Sequence, residues 1–198
     1  LGIRNLAKSY GAKHLFDGIT LKVEGGERIA LIGDNGTGKS TLIKMIMGEL
    51  YPDEGRIKLG PQTKPAYLPQ IIRFEHPDWN LVENMMAAKR GLSAQSARNR
   101  LAAYDFRGED VFKPVSVLSG GEQSRLRLCM LMDGEVNFLI LDEPTNHLDI
   151  ASREWIEEAV EGYDGTLLFV SHDRYFINRF ATRIWELADE TITDYPMG

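Results

Sequence analysis

Apolar residues fall into blocks of two kinds along this chain. Residues 28–32, 137–141 and 166–170 are nearly unbroken apolar runs, the length and composition of strands buried on both faces. Residues 1–7 and 16–23 are short, partly alternating segments, separated by Ser9-Tyr10-Gly11 and a polar turn, and predict two further strands. Residues 56–59 and 65–68 predict two more, placed after a break at Tyr51-Pro52-Asp53-Glu54-Gly55. Helical spacing governs residues 42–50, 119–132, 151–162 and 174–181. Between residues 80 and 112, Leu81, Val82, Met85, Met86 and Leu101 recur at helical intervals amid charge, with Gly91 dividing the run in two. Residues 183–187 and 191–195 predict a closing hairpin.

Strands that alternate with helices are most simply joined as a parallel sheet, so the fold class is α/β, with a small helical insertion at about residues 80–117. The chain has 198 residues, 43% of them apolar, enough for one domain with a substantial core spanning 1–198. Lys and Arg number 23 against 29 Asp and Glu, a net charge of −6, and a chain this acidic taken whole is no general nucleic-acid binder. Within the helical insertion, Lys89, Arg90, Arg98, Arg100 and Arg107 outnumber Glu83 and Asp105, which reads as a solvated helix face or a docking surface for something negative. No apolar run reaches the length of a membrane span. The single cysteine, Cys129, sits among apolar residues, and its being alone rules out an internal disulfide and favours a reducing cytoplasm. The sequence opens on Leu1, directly in a strand, and reads as a piece of a longer protein.

Chemistry concentrates first at Gly33-Asp34-Asn35-Gly36-Thr37-Gly38-Lys39-Ser40-Thr41, a G-x-x-x-x-G-K-[ST] loop between a predicted strand and a predicted helix. The glycines free backbone amides to form an anion nest, and the helix that follows adds the positive end of its dipole. Lys39 would reach the β- and γ-phosphates of a nucleotide, and the Ser40 hydroxyl would bind Mg²⁺. Two carboxylates, Asp142 and Glu143, end the apolar run at 138–141, and in an open α/β sheet such strand ends gather at the ligand edge. Asp142 suits the Mg²⁺ shell through water; Glu143 suits the attacking water as general base. His172 ends the next strand, where it is either structural or a hydrogen-bond partner of a γ-phosphate. Leu118-Ser119-Gly120-Gly121-Glu122 opens a second helix with a capping-box spacing, while two successive glycines would leave amides open to an anion. One triphosphate is already held at Gly33, so a second anion-seeking helix end points to nucleotide bound on another copy of the domain.

These motifs, in this order, resemble a nucleotide-binding domain of the ATP-binding cassette (ABC) superfamily over nearly the whole chain. The resemblance makes residues 33–41 a Walker A loop, Gln70 the Q-loop glutamine at the nucleotide and its metal, and Ser119, Gly120 and Gly121 the signature. It makes Asp142 and Glu143 the end of Walker B, puts Leu148-Asp149 in the D-loop, and assigns His172 as the switch histidine. Tyr10 falls where the family has an aromatic that stacks on adenine. It implies a P-loop NTPase fold, a RecA-like core with an antiparallel β-subdomain and a helical subdomain, hydrolysing ATP with Mg²⁺ in an active site completed by a second cassette. Glu143-Pro144-Thr145-Asn146-His147-Leu148-Asp149 and the Ser-Gly-Gly-Glu signature resemble the ABC-F branch, and Thr193-Asp194-Tyr195-Pro196 resembles the second cassette of that branch. That branch implies work on the ribosome through parts outside this chain; the alternatives are a membrane transporter's ATP-binding subunit and a nucleotide-gated module with little turnover.

Overall fold

The computed structural model describes residues 1–132 and 134–196. Strands β1 (Gly2–Tyr10) and β2 (Lys13–Lys22) form a hairpin longer than the sequence pattern predicts, because the reversal needs only Gly11 and Ala12, with Gly11 at φ 58°. Then follow β3 (Arg28–Ile32), α1 (Lys39–Ile46), β4 (Glu54–Lys58), β5 (Pro65–Leu68), α2 (Leu81–Ala88) and α3 (Ala94–Ala103). Two short 3-10 turns lead into α4 (Gly120–Leu131), and β6 (Phe138–Asp142), α5 (Ile150–Gly162), β7 (Thr166–Val170), α6 (Arg174–Phe180), β8 (Arg183–Ala188) and β9 (Thr191–Pro196) complete the order.

The strands make two sheets: a three-stranded antiparallel one in the order β2-β1-β4, and a six-stranded one in the order β5-β6-β7-β3-β8-β9. In the larger sheet β5, β6, β7, β3 and β8 run parallel and β9 returns antiparallel on β8. Its register fixes the functional edge: Asp142 lies opposite Val170, and Val170 opposite Leu31. The residues that follow β3, β6 and β7 therefore leave the sheet side by side.

Strand β4 starts inside the stretch expected to be a break. A Cβ on Gly55, at φ +76°, would stand 2.3 Å from the Asn5 carbonyl oxygen, so this glycine permits close approach of two strands rather than a turn. Three apolar clusters fill the interior. One joins the antiparallel sheet and α1 to a face of the large sheet through Phe16, Leu42 and Trp185. Another covers the opposite face with α5 and α6, where Phe169 and Phe176 meet edge-on at 5.1 Å. The last ties α2 and α3 to α4 through Met85, Leu101, Phe106 and Cys129. Burial pushes the Cys129 thiol up to about 12, so it behaves as a small apolar residue.

The cationic cluster of the helical region is partly turned inward. Arg100 donates to the carbonyls of Cys129 and Met132, both at 2.9 Å, and so satisfies the C-terminal end of α4. Among the described residues no helix is long and apolar enough to cross a membrane.

Candidate active site

The loop between β3 and α1 forms around Gly38, which caps α1 at φ 107° and leaves room for Phe16: a Cβ there would lie 2.9 Å from the Phe16 ring. No side chain caps this helix and no acidic residue sits in its first turn, so its leading amides and dipole face outward toward an anion. Thr37 stiffens the loop, donating from its hydroxyl to the Asp34 carbonyl at 2.8 Å. The Lys39 ammonium folds over the loop and donates to the carbonyls of Gly33 and Asp34. Burial lowers its pKa against the opposing pull of Glu143, Asp34 and Asp142.

A cavity of about 330 Å³ opens above the loop, lined by Tyr10, Asn35, Gly36, Gly38, Lys39, Ser40, Thr41, Gln70, Asp142 and Glu143 together with Lys13, Leu15 and Val170. Gly33, Asp34 and Thr37 form the loop beneath it. Ser119, Gly120 and Gly121 lie outside it, and His172 reaches it only through Glu143. At the signature position both halves of the capping box are made: Ser119 Oγ accepts from the Glu122 amide, and the Glu122 carboxylate accepts from the Ser119 amide. Gly121 is required by packing, since a Cβ would stand 2.0 Å from Ser152 Oγ at the start of α5. Gly120 has open space around it. Packing within the fold accounts for the second glycine and not for the first.

Glu143 has the left-handed angle φ 49°, held by its amide donating to the Val170 carbonyl at 2.8 Å. Non-glycine residues there cost about 1–3 kcal/mol, a strain that clusters at functional sites. The turn delivers its carboxylate to His172 Nε2 at 3.1 Å, with the glutamate side chain 14% exposed and the histidine 61%. Burial raises the Glu143 pKa; His172 holds it down, Asp142 adds to the rise, and Lys39 and the His172 amide oppose it.

Sequence reasoning missed two neighbours. Tyr67, on β5 beside β6, donates its hydroxyl to Asp142 Oδ2 at 2.9 Å. Burial, then the Asp142 charge, pushes the phenol upward, so it remains a donor. Asp142 is itself raised by burial, against the Tyr67 bond and the Lys39 charge. The usable signal was a tyrosine in an otherwise apolar strand, whose hydroxyl needs a partner once buried. Lys13 comes from the tip of the β1–β2 hairpin, with Nζ 3.5 Å from where a Gly36 Cβ would be.

The oxygen set suits a hard cation that keeps most of its shell from phosphates and water. Ser40, Gln70 and Asp142 line one cavity, and the described residues contain no cluster of three His, Cys, Asp or Glu that could cage a metal unaided.

An uncapped helix behind a glycine loop, a lysine over it and two consecutive carboxylates at the end of β6 define a P-loop nucleotide-binding domain of the ATPase kind. Comparison with known proteins narrows this. The family described as ABC transporter matches residues 16–146. The chain is 44% identical over 196 residues to the "Putative ATP-binding protein YdiF" of Bacillus subtilis (strain 168), covering 98% of this chain and 30% of that protein. It is 40% identical over 195 residues to "ABC transporter F family member 2" of Arabidopsis thaliana, covering 98% of this chain and 29% of the relative. Against the "Energy-dependent translational throttle protein EttA" of Escherichia coli (strain K12) the identity is 39% over 202 residues, covering 100% of this chain and 36% of the relative. The chain thus spans about a third of the length of these relatives. Among solved structures, the ATP-binding subunit of an ABC transporter superposes with a TM-score of 0.84 at 26% identity, covering 98% of this chain and 89% of that one. A dimeric cassette in a post-hydrolysis state, bound to ADP and Pi, shares the fold with a TM-score of 0.78 at 23% identity, covering 100% and 98%. The chain belongs to the ABC transporter family as an ATP-binding-cassette ATPase domain, with F-family members among its relatives.

Proposed function

We propose that this chain binds ATP with Mg²⁺ in the 330 Å³ cavity and hydrolyses it as part of an ABC-F protein that acts in translation. The observation that carries the reading is the convergence of Lys39, Ser40, Asp142 and Glu143 on that cavity, with Glu143 held by His172. Tyr10 stacks the adenine, the loop from Gly33 to Thr41 wraps the phosphates, and Lys39 turns from the loop carbonyls to the β- and γ-phosphates. Mg²⁺ neutralises developing phosphate charge when bound, and Ser40, Gln70 and Asp142 would hold it. Glu143, raised by burial yet oriented by His172, accepts the proton of the attacking water, while His172 keeps its carboxylate aimed. Ser119, Gly120 and Gly121 serve the nucleotide of a second cassette, consistent with the open space at Gly120. Residues 1–198 act as one domain with the helical part at about 80–117 as a subdomain, in the cytoplasm, with the ribosome engaged chiefly through parts outside this chain. A translational role is supported by the relative called a translational throttle and by the F-family relatives. The rival reading, a transporter's ATP-binding subunit, draws on the family description and the solved neighbours.

Glu143→Gln tests the chemistry. ATP affinity is expected to hold while phosphate release falls by about 10²–10⁴-fold, the usual contribution of a general base. Undiminished hydrolysis would remove Glu143 from the role. Co-sedimentation of the full-length protein with ribosomes, against recovery with an integral membrane protein, separates the two biological readings.

A further inference from the structure

The antiparallel sheet has an outer face on which one sign of charge gathers. Ile3, Leu21 and Ile57 pair across β2-β1-β4 and turn toward the core, so their neighbours turn outward. One outward row is Lys22, Gly2 and Lys58, with both lysines opposite a residue that has no side chain. The next row sets Arg4 directly opposite Arg56. All four cations are exposed and border one shallow cavity of about 700 Å³.

Arg4, Arg56 and Lys58 make no ion pair or side-chain hydrogen bond among the described residues; Lys22 pairs with Glu24 at 2.9 Å, with both partners mostly in water. The sheet's acidic residues, Asp17 on β2 and Glu54 on β4, border a different cavity at its other end, together with Asp53. Like charges directly opposed on a sheet face cost the fold about 0.2–1 kcal/mol. A chain of net charge −6 has acidic groups to spare for pairing them, and none is used for Arg4, Arg56 or Lys58.

We infer that this outer sheet face, through Arg4, Lys22, Arg56 and Lys58, docks on the phosphate backbone of duplex RNA. The net charge does not forbid it, because charges beyond a Debye length of about 8 Å are largely screened in physiological salt. Arginine forks match phosphate oxygens. The two rows carry no aromatic ring on which an unpaired base could stack, which disfavours single strands. They carry no large apolar side chain to enter a lipid interface, which disfavours a membrane. The choice of RNA over DNA rests on the translational reading above.

The test is fluorescence anisotropy of this chain with a labelled RNA duplex of about 20 base pairs, across a salt series. With four cations engaged, log K against log salt is expected to fall with a slope of about −3 to −4, roughly a hundredfold between 50 and 200 mM. The triple variant Arg4→Gln/Arg56→Gln/Lys58→Gln is expected to flatten that slope by about 2–3 units. Its melting temperature should not fall, since the opposed arginines are gone, and its ATP affinity should be unchanged. Lys89→Gln/Arg90→Gln, on the helical region, should leave the slope as it is. Unchanged RNA binding in the triple variant would overturn the surface; equal or tighter binding to a DNA duplex of the same length would overturn the choice of RNA. Preference for vesicles containing phosphatidylserine over the RNA would overturn the partner class. Each result is independent of Glu143→Gln, which tests hydrolysis alone.

Discussion

The imidazole Nε2 of His172 lies 3.1 Å from Oε1 of Glu143, so the ends of β6 and β7 are joined by side chains as well as by the sheet. The carboxylate is largely buried and the imidazole largely exposed, which makes the histidine the replaceable member of the pair. His172→Ala is expected to lower the hydrolysis rate about 10–100-fold, less than loss of the base itself, while nucleotide affinity changes little. Its pH–rate profile should move to higher pH, because the neighbour that holds Glu143 down is gone and the base stays protonated longer. Steady-state phosphate release from pH 5 to 9 measures both effects.

Asp142 offers a stability test of opposite sign to the usual acid effect. Its folded pKa is raised, so the native state binds a proton that the unfolded chain, with its ordinary value of 3.8, has released. The contribution of Asp142 is therefore fully present below that value and is lost as pH rises through the folded one. Asp142→Asn should melt higher than the parent at pH 7 and lose that advantage toward pH 3, by differential scanning calorimetry.

Tyr67→Phe removes the hydroxyl that donates to this carboxylate and leaves a half-buried charge short of a partner. Hydrogen bonds to charged groups contribute about 1.5–3 kcal/mol, and a loss of that order is expected in urea unfolding at pH 7. In the Asp142→Asn background the same change should cost less, as a double-mutant cycle would reveal.

Gly121→Ala forces a methyl against Ser152 and is expected to cost about 1–3 kcal/mol of stability, in the range of overpacked cores. Ser152→Gly should recover part of it. Gly120→Ala meets nothing and should stay within about 0.5 kcal/mol of the parent. A fall in turnover with the second cassette present, despite that intact fold, would locate its role at the partner's nucleotide.

Arg183 holds Asp194 through two bonds, at 2.7 and 2.6 Å, and Glu27 at 2.8 Å. Removing Arg183 leaves the Asp194 and Glu27 carboxylates unpaired in a partly solvated group, and Arg183→Ala is expected to cost about 1 kcal/mol at pH 7. Arg183 keeps the Asp194 pKa below its ordinary 3.8, so that stabilisation is present above this value and fades as pH falls through the folded one. The difference between variant and parent should narrow below pH 4, measured by chemical denaturation.

The central sheet was legible because strands buried on both faces must be apolar throughout, and residues 138–141 and 166–170 have no other plausible place. The loop at 33–41 was legible because its glycines, lysine and serine have fixed jobs at fixed spacing. What escaped depended on partners distant in sequence. Gly55 looks like a turn until Asn5 is known to lie against it. Arg100 looks like surface charge until the end of α4 is found beneath it. Tyr67 looks like core until Asp142 comes within reach of its hydroxyl. In each case the pattern identified an element correctly, or nearly so, while the purpose of one residue lay in a contact that one-dimensional spacing does not contain.

The seat of Gly121 against Ser152 has a mechanical meaning. Two helices whose beginnings touch with no space for a methyl between them have no slack at that joint. In the pairing with a second cassette proposed above, displacement of the chain around residue 120 would be handed directly to the segment that descends from Glu143, without any long relay.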